Sequence, residues 1–175
     1  MQSSSKIIEA GNAVASIKSA RILIVDDEFT MRKMLRTLLL SLGVTDVHEA
    51  ADGASALAAI GALDPDVVLL DWQLVEMNGP EFVRRVRSPG KFSHPNVPII
   101  MLAGHGEPSR VIEAMRLGVH GFLVKPVSGE ALCERLASVL MQAGAAGRHR
   151  PSRPPLRPSA ARRGASLGST GRSRM

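Results

Sequence analysis

Short apolar runs separated by amphipathic stretches make up most of this chain. The run at residues 22–25 leads directly into three carboxylates at positions 26–28. It is too short for a stable helix and rich in β-branched residues, which is typical of a strand buried on both faces. We predict four more strands, the first of them a weakly alternating edge strand, at residues 44–50, 67–70, 98–102 and 121–124.

Amphipathic stretches between these runs predict helices. In the strongest one, apolar residues recur at helical spacing, basic residues occupy the other face and Gly43 ends the helix. The apolar positions are Met31, Met34, Leu35, Leu38, Leu39 and Leu42, and the basic positions are Arg32, Lys33 and Arg36. A small-residue helix at 54–62 is expected to place on one face Ala54, Leu57, Ala58 and Gly61. Further helices are predicted at 81–87, at 107–117 and at 128–143, the last with Leu132, Leu136, Val139 and Leu140 inward.

Strand and helix therefore alternate five times along the chain. This order predicts an α/β fold with a doubly wound, five-stranded parallel sheet, right-handed crossovers and helices on both faces. In such sheets, ligands bind at the carboxyl ends of the strands. The charged residues that follow the apolar runs are expected at that edge.

The charge of the chain is unevenly distributed. Eight of its 22 basic residues are arginines of segment 144–175, which holds no acid, so residues 1–143 keep 14 basic and 16 acidic residues, or −2. We predict a domain at 21–143 and a disordered tail at 144–175, whose composition cannot bury enough apolar surface to offset ordering entropy. Residues 1–20 form an extension that could be frayed or could lie on the domain as a short helix.

Cysteine usage and hydropathy favour a cytoplasmic location. Cys133 is the only cysteine, which excludes an internal disulfide and suits a reducing compartment. Residues 1–20 lack the continuous apolar core of a signal peptide, and no later run approaches membrane-spanning length. We therefore expect a cytoplasmic protein without a membrane segment.

Charged residues from three strand ends are expected to meet in one crevice: Asp26 and Asp27, Asp71, and Lys125. Adjacent carboxylates repel one another unless a cation holds them together, and Mg²⁺, which prefers oxygen ligands, is the natural candidate. The lysine would offset the excess negative charge and bind an incoming anion. An aspartate beside a metal and a lysine can attack phosphorus to form an acyl phosphate.

Two simpler interpretations of these charges stay open at this point. Asp26 and Asp27 could begin a turn and cap the following helix. Each of the four charged residues could also be a separate, solvated residue at its own strand end. Their positions at the ends of alternating β/α units favour a shared site over separate charges.

Several linked motifs resemble the response-regulator receiver domain, in particular its single-domain, chemotaxis-type form. Residues 25–28 (VDDE) are similar to its acidic pair, residues 70–72 (LDW) with 77–79 (MNG) to its phosphoacceptor strand and loop, and residues 121–126 (GFLVKP) to its lysine strand. The separation of 44 positions between the second acid of the pair and the acceptor also fits. The resemblance covers about residues 20–143 and implies a flavodoxin-like fold with strand order 2-1-3-4-5.

The resemblance also implies a role for each residue of the crevice. Asp71 would be the phosphorylated residue, and Lys125 would contact the phosphoryl group. Mg²⁺ would be held by the carboxylates of Asp26, Asp27 and Asp71 together with the backbone carbonyl of Gln73.

Further implications concern the backbone and the conformational switch. The bond from Lys125 to Pro126 would be cis, which is feasible before proline, and Phe122 would be the aromatic residue that turns inward on phosphorylation. Where the family has a Thr or Ser hydroxyl that binds the phosphoryl oxygen, this chain has Ala103, which cannot donate a hydrogen bond. Losing that donor costs about 1.5–3 kcal/mol of preference for the active state, so phosphoryl transfer is expected to survive with a weakened response. His105, a lone histidine in a Gly-rich loop, is interpreted as solvent-facing rather than catalytic.

The predicted function is a signalling switch that accepts phosphate from a sensor histidine kinase or a histidine phosphotransfer protein. It would signal to a protein target through the face formed by about residues 107–142, and acylphosphate hydrolysis would reset it, so that no external substrate is turned over. One alternative is a phosphorylation-independent docking module with the same fold, which Ala103 favours. Another is nucleic-acid binding, but the tail offers only nonspecific, salt-dependent attraction through its arginines and lacks aromatic residues for base stacking. We interpret the tail as solvated and without a specific partner.

Overall fold

The computed structural model describes residues 2–88, 90, 92–104 and 108–145. His105 and residues 146–175 of the predicted tail lie outside the described residues. Five strands alternate with helices: β1 Arg21–Val25, β2 Asp46–Ala50, β3 Val67–Asp71, β4 Ile99–Ala103 and β5 Gly121–Val124. The helices are α1 Gln2–Ser19, α2 Phe29–Ser41, α3 Gly53–Leu63, α4 Gly79–Arg87, α5 Pro108–Arg116 and α6 Gly129–Ala145.

All strands of the sheet are parallel, in the order β2-β1-β3-β4-β5, which confirms the predicted topology and the edge position of β2. The register places Val25 beside Leu70 and Asp71 beside Leu102. The carboxyl ends of the central strands are therefore level. Residues that follow these ends are brought to one edge of the sheet, as expected for an open α/β fold.

Each face of the sheet carries its own hydrophobic core. On one face, α2 and α6 pack with their predicted stripes inward, and Leu35, Leu39, Leu132, Leu136 and Val139 are buried. On the other face, α3, α4 and α5 cover a second core, which includes Phe82, Val83 and Ala114.

The face of α3 that packs against the sheet is not the one formed by the four residues that the sequence groups together. The buried residues of this helix are Gly53, Ala56 and Ile60, whereas Ala54, Ala58 and Gly61 are exposed and Leu57 is partly buried. The helix is apolar nearly all round, so its periodicity does not single out one face. Its packing against β1 and β2 decides which residues are buried.

The N-terminal extension forms a helix that lies on the domain, which answers the question that its composition leaves open. Helix α1 contacts α6, and Ile17 is buried in the same core as α2 and α6. The side chain of Lys18 lies against Gly43 at the end of α2. Helix α6 continues to Ala145, two residues beyond its predicted end. Among the described residues, no helix is both long enough and apolar enough to cross a membrane.

Candidate functional site

The carboxylate of Asp26, directly after β1, is fully buried and bonded through both oxygens. Its Oδ1 accepts a hydrogen bond from the backbone N–H of Glu28 at 2.9 Å, and its Oδ2 accepts one from Lys125 Nζ at 2.9 Å. The Asp26 N–H donates to Ala50 O at 3.3 Å, and the Asp26 carbonyl accepts from Arg32 Nη1 at 2.7 Å. Contacts from β2, α2 and the segment after β5 thus hold this residue.

Lys125 forms ion pairs with a carboxylate at the end of β1 and a carboxylate at the end of β3. Its ammonium group lies 2.9 Å from Asp26 Oδ2 and 3.0 Å from Asp71 Oδ1. The side chains are shielded from water, with Lys125 16% and Asp71 9% exposed. The Lys125–Pro126 peptide bond is cis, as the resemblance implies. A single cation therefore binds carboxylates that lie 45 positions apart in the sequence.

The pKa values of the Lys125 ammonium and the Asp71 carboxyl are both raised, for different reasons. Burial is the largest influence on each. For Asp71, burial raises the pKa more than the hydrogen bond and charge of Lys125 lower it, and repulsion from Asp26 adds to the rise. For Lys125, burial lowers the pKa, but the hydrogen bonds and charges of both carboxylates together outweigh burial and raise it. The lysine stays charged because it has two anionic partners, whereas Asp71 has one cationic and one anionic neighbour.

Asp27 completes a cluster of three carboxylates. Ligand oxygens of Asp26, Asp27 and Asp71 all lie within 4.8 Å of one another. Asp27 is exposed, and within the described residues its carboxylate has no hydrogen bond or ion pair. Three carboxylates, of which that of Asp27 is open to solvent, suit Mg²⁺. This ion keeps several bound waters when carboxylates hold it. The donor set thus fits the predicted metal.

The alternative that the acidic pair begins a turn and caps the next helix is confirmed only for the turn, and there only for Oδ1 of Asp26. Asp26 Oδ1 does begin the turn by accepting from the Glu28 N–H. The residue that precedes α2 is Glu28, however, and no side chain caps that helix. Asp26 therefore supports the turn and the charge cluster at once, and the charges at the strand ends are not separate. We call the cluster of Asp26, Asp27, Asp71 and Lys125 the acidic corner.

The loop after Asp71 runs so close to the strand that a glycine is required. A Cβ atom on Gly79 would lie 2.7 Å from the Asp71 carbonyl oxygen. The Gly79 N–H donates to Trp72 O at 2.9 Å, and Asn78 caps α4 by accepting from the Glu81 N–H at 2.8 Å. This turn fixes the segment that contains Gln73, whose backbone N–H bonds Asp71. The proposed ligand role of the Gln73 carbonyl stays a prediction.

Ala103 and Phe122 lie in a different environment, beside the acidic corner. Ala103 is fully buried at the end of β4. Phe122 is partly buried and meets Trp72 edge to face, with ring centroids 6.4 Å apart. The guanidinium carbon of Arg110, on α5, lies 5.6 Å from the Trp72 ring. We call these four residues the switch corner; the contacts described between them are packing and cation–π contacts.

Arg32 has a contact that the sequence pattern does not reveal. Helical spacing puts it with Lys33 and Arg36 on the face of α2 away from the apolar stripe. Its side chain is only 12% exposed, because it turns toward the acidic corner and bonds the Asp26 carbonyl. Its position in the first turn of α2, directly after the acidic pair, could have indicated that Arg32 lies near these acids. Which atom it bonds depends on tertiary structure.

Residues 22–137 match the response regulator receiver domain family. The chain is 40% identical to chemotaxis protein CheY1 of Helicobacter pylori over 121 residues, which cover 69% of this chain and 96% of that protein. It is 35% identical to chemotaxis protein CheY of Pseudomonas aeruginosa over 119 residues, which cover 68% of this chain and 94% of that protein. The solved structure of chemotaxis response regulator CheY4 of Vibrio cholerae superimposes with a TM-score of 0.62 at 36% identity, covering 69% of this chain and 98% of the other.

Proposed function

Because the chain belongs to the response regulator receiver domain family, and is thus a response regulator of two-component signalling, we propose that it accepts a phosphoryl group on Asp71. The donor would be a sensor histidine kinase or a histidine phosphotransfer protein. The observation that carries this proposal is the bridge of Lys125 between Asp26 and Asp71. The bridge supports the proposal because the carboxylate that would act as the nucleophile lies beside the cation that would bind the phosphoryl oxygens, and both are largely shielded from water.

In the proposed reaction, a carboxylate oxygen of Asp71 attacks the phosphorus atom as the bond to the donor nitrogen breaks. The donor imidazole, protonated on its other ring nitrogen, leaves with the electron pair of that bond and so departs as neutral imidazole. Lys125, whose raised pKa keeps it charged, would bind an oxygen of the transferred group. Hydrolysis of the acyl phosphate would return Asp71 to the carboxylate, so the protein would modify itself and turn over no external substrate.

Mg²⁺ is the proposed cofactor, held by Asp26, Asp27, Asp71 and the Gln73 carbonyl. When bound, it would neutralise charge on the phosphoryl oxygens and on the clustered carboxylates. The 4.8 Å grouping of the three carboxylates and the exposed carboxylate of Asp27 support this assignment. Lys125 alone supplies one positive charge against three negative charges.

The proposed output surface is formed by α5, β5 and α6, within about residues 107–142. Four large apolar side chains on it are strongly exposed: Ile112, Met115, Val124 and Met141. Exposed apolar groups that lie on neighbouring elements suit a protein partner. We propose a cytoplasmic location, which suits the free thiol of Cys133, and assign only nonspecific nucleic-acid attraction to the tail.

A docking module that works without phosphorylation is the second candidate. Ala103 favours it, because a buried methyl group stands where a hydroxyl would report the phosphoryl group. Such a module would present the same surface in one conformation. The complete acidic corner favours the first proposal, since a docking role requires neither three clustered carboxylates nor the lysine.

The test is intact-mass spectrometry after incubation with acetyl phosphate or phosphoramidate, with and without Mg²⁺. We expect a Mg²⁺-dependent phosphoryl adduct that is absent from Asp71→Asn. Asp46→Asn is the matched control, because Asp46 lies at the opposite end of the sheet and should leave the adduct unchanged. Folded wild-type protein that forms no adduct under any condition would favour the docking module.

A further inference from the structure

Arg32 holds the backbone of the acidic corner without belonging to it. Its Nη1 donates to the Asp26 carbonyl at 2.7 Å, and its Nε lies 3.5 Å from Glu49 Oε2 on β2. Its guanidinium carbon lies 5.7 Å from the Phe29 ring centroid. One partly buried guanidinium thus ties the first turn of α2 to the ends of β1 and β2.

The bonded carbonyl controls the direction of the next residue. The carbonyl of Asp26 and the amide nitrogen of Asp27 belong to one planar peptide group. A hydrogen bond that holds the backbone carbonyl oxygen of Asp26 therefore also holds the orientation of the peptide plane that contains the Asp27 amide nitrogen. This matters because, within the described residues, no side-chain contact orients the Asp27 carboxylate.

We propose that Arg32 is a positioning residue for the Mg²⁺ site: by holding the Asp26 carbonyl, it directs the Asp27 carboxylate toward Asp26 and Asp71. The inference rests on the proposed function, because it takes these three carboxylates to be the metal site. Glu49 is the second anchor of the guanidinium, and the fork geometry of arginine lets one side chain reach both oxygens.

Charge and positioning predict opposite effects when Arg32 is removed. A cation near the carboxylates repels Mg²⁺, so its loss alone would strengthen metal binding. Loss of a positioning group weakens it, typically by 10- to 100-fold for groups that orient a metal ligand without touching the metal, so about tenfold is expected here. The sign of the change therefore separates the two effects.

The experiment compares Mg²⁺ binding by the wild type, Arg32→Met and Lys33→Met. Lys33 is the matched control: it is adjacent, carries the same charge and contacts the same Phe29 ring at 5.5 Å. Binding is followed by the fluorescence of Trp72, the only tryptophan, and independently by the rise of the thermal midpoint with Mg²⁺ concentration. We expect the Mg²⁺ dissociation constant to rise about tenfold in Arg32→Met and to change less than about twofold in Lys33→Met.

An unchanged or lower dissociation constant in Arg32→Met would overturn the inference. A loss of thermal stability without a change in Mg²⁺ affinity would do the same, since it would show a purely structural role. If the wild type itself shows no Mg²⁺ response by either readout, the proposed metal site fails and the inference fails with it.

Two milder variants keep the test decisive if Arg32→Met does not fold. Arg32→Lys keeps the charge but cannot bond both oxygens as a fork, and Glu49→Gln removes the charged second anchor. Each is expected to raise the Mg²⁺ dissociation constant, by less than the arginine deletion. Wild-type affinity in both of these variants would overturn the inference.

Discussion

The acidic corner and the switch corner lie side by side at the same edge of the sheet, yet different interactions hold them. In the acidic corner, Lys125 bonds two buried carboxylates at 2.9 and 3.0 Å. In the switch corner, Ala103 has no hydroxyl, and Phe122 meets Trp72 only through ring contact. The comparison suggests that the chemistry and the conformational response are separable. The proposed phosphoryl transfer depends on the charges of the acidic corner, all of which this chain has. The proposed conformational response depends on the packing of the switch corner.

Removal of the shared cation should have the largest effect. Lys125→Met leaves the buried Asp26 carboxylate without its charged partner, which is expected to cost about 3 kcal/mol of the free energy of unfolding. Urea denaturation without Mg²⁺ measures this loss, and added Mg²⁺ should recover more stability in the variant than in the wild type. The exposed Lys33→Met is the control for loss of one lysine charge. Equal losses in the two variants would contradict a structural role of the bridge.

Two glycine-to-alanine substitutions test how much room each corner has for one added methyl group: Gly79 lies beside the acidic corner and Gly104 beside the switch corner. Gly79→Ala places a methyl group 2.7 Å from the Asp71 carbonyl oxygen, and the forced shift should cost about 2 kcal/mol. Gly104→Ala, which directly follows Ala103, meets no atom of the described residues within 4 Å and should be tolerated. Urea denaturation and the rate of adduct formation are the measurements. A Gly79→Ala variant with wild-type stability would show that the loop after Asp71 is less constrained than its contacts indicate.

Restoring the hydroxyl should change the response more than the chemistry. In Ala103→Thr, a hydrogen bond to the phosphoryl oxygen would favour the switched state by about 1.5–3 kcal/mol. We expect the phosphorylated fraction to change less than about twofold, because the threonine leaves the charges of the acidic corner untouched, while the Trp72 fluorescence change on phosphorylation increases. Ala103→Val has nearly the same shape without the donor. If the valine variant gave the same increase, side-chain volume and not the hydroxyl would be responsible.

A charge cluster at the opposite end of the sheet provides the smallest expected effect. Asp46 accepts from Arg21 Nε and contacts His48 Nε2, each at 2.7 Å. Burial alone would raise the pKa of Asp46, but the hydrogen bonds and charges of Arg21 and His48 outweigh it and lower the pKa. Since the folded pKa lies below the unfolded value of about 3.9, these contacts stabilise the fold above about pH 4, and the contribution is lost as the pH falls through the lowered pKa.

Asp46→Asn should therefore lower the free energy of unfolding at pH 7 by only about 0.5 kcal/mol, because 35% of the side chain is exposed and solvent screens the charges. The difference from the wild type should shrink toward pH 3, as measured by urea denaturation at both pH values. A difference that grows in acid would have the wrong sign for a lowered pKa.

The sequence predicted the acidic corner because its signal is local. An apolar run followed by a charged residue predicts both a strand and the residue at the end of that strand, as at Asp26, Asp71 and Lys125. Parallel strand order then brings these ends together without any knowledge of side-chain contacts. Ala103 and Phe122 of the switch corner, in contrast, were identified only through resemblance, because an alanine and a phenylalanine in strands are typical of an ordinary core.

What the sequence did not predict depends on tertiary packing. The buried face of α3 was not identified, because small apolar residues surround that helix. The docking of α1 could not be decided, since Ile17 is buried only because α6 is there to receive it. The helical position of Arg32 indicated only the basic face of α2, and its hydrogen bond to the Asp26 carbonyl was not predicted.

Simultaneous measurement of chemistry and response on the wild-type protein is the most direct test of their separation. Samples taken after acetyl phosphate is added in the presence of Mg²⁺ are divided between intact-mass spectrometry and Trp72 fluorescence, with Asp71→Asn in parallel. We expect the adduct to accumulate on the wild type only, while its fluorescence stays near the Mg²⁺-bound baseline. Fluorescence that changes in proportion to the adduct would contradict the separation, because the switch would then work without a hydroxyl at position 103.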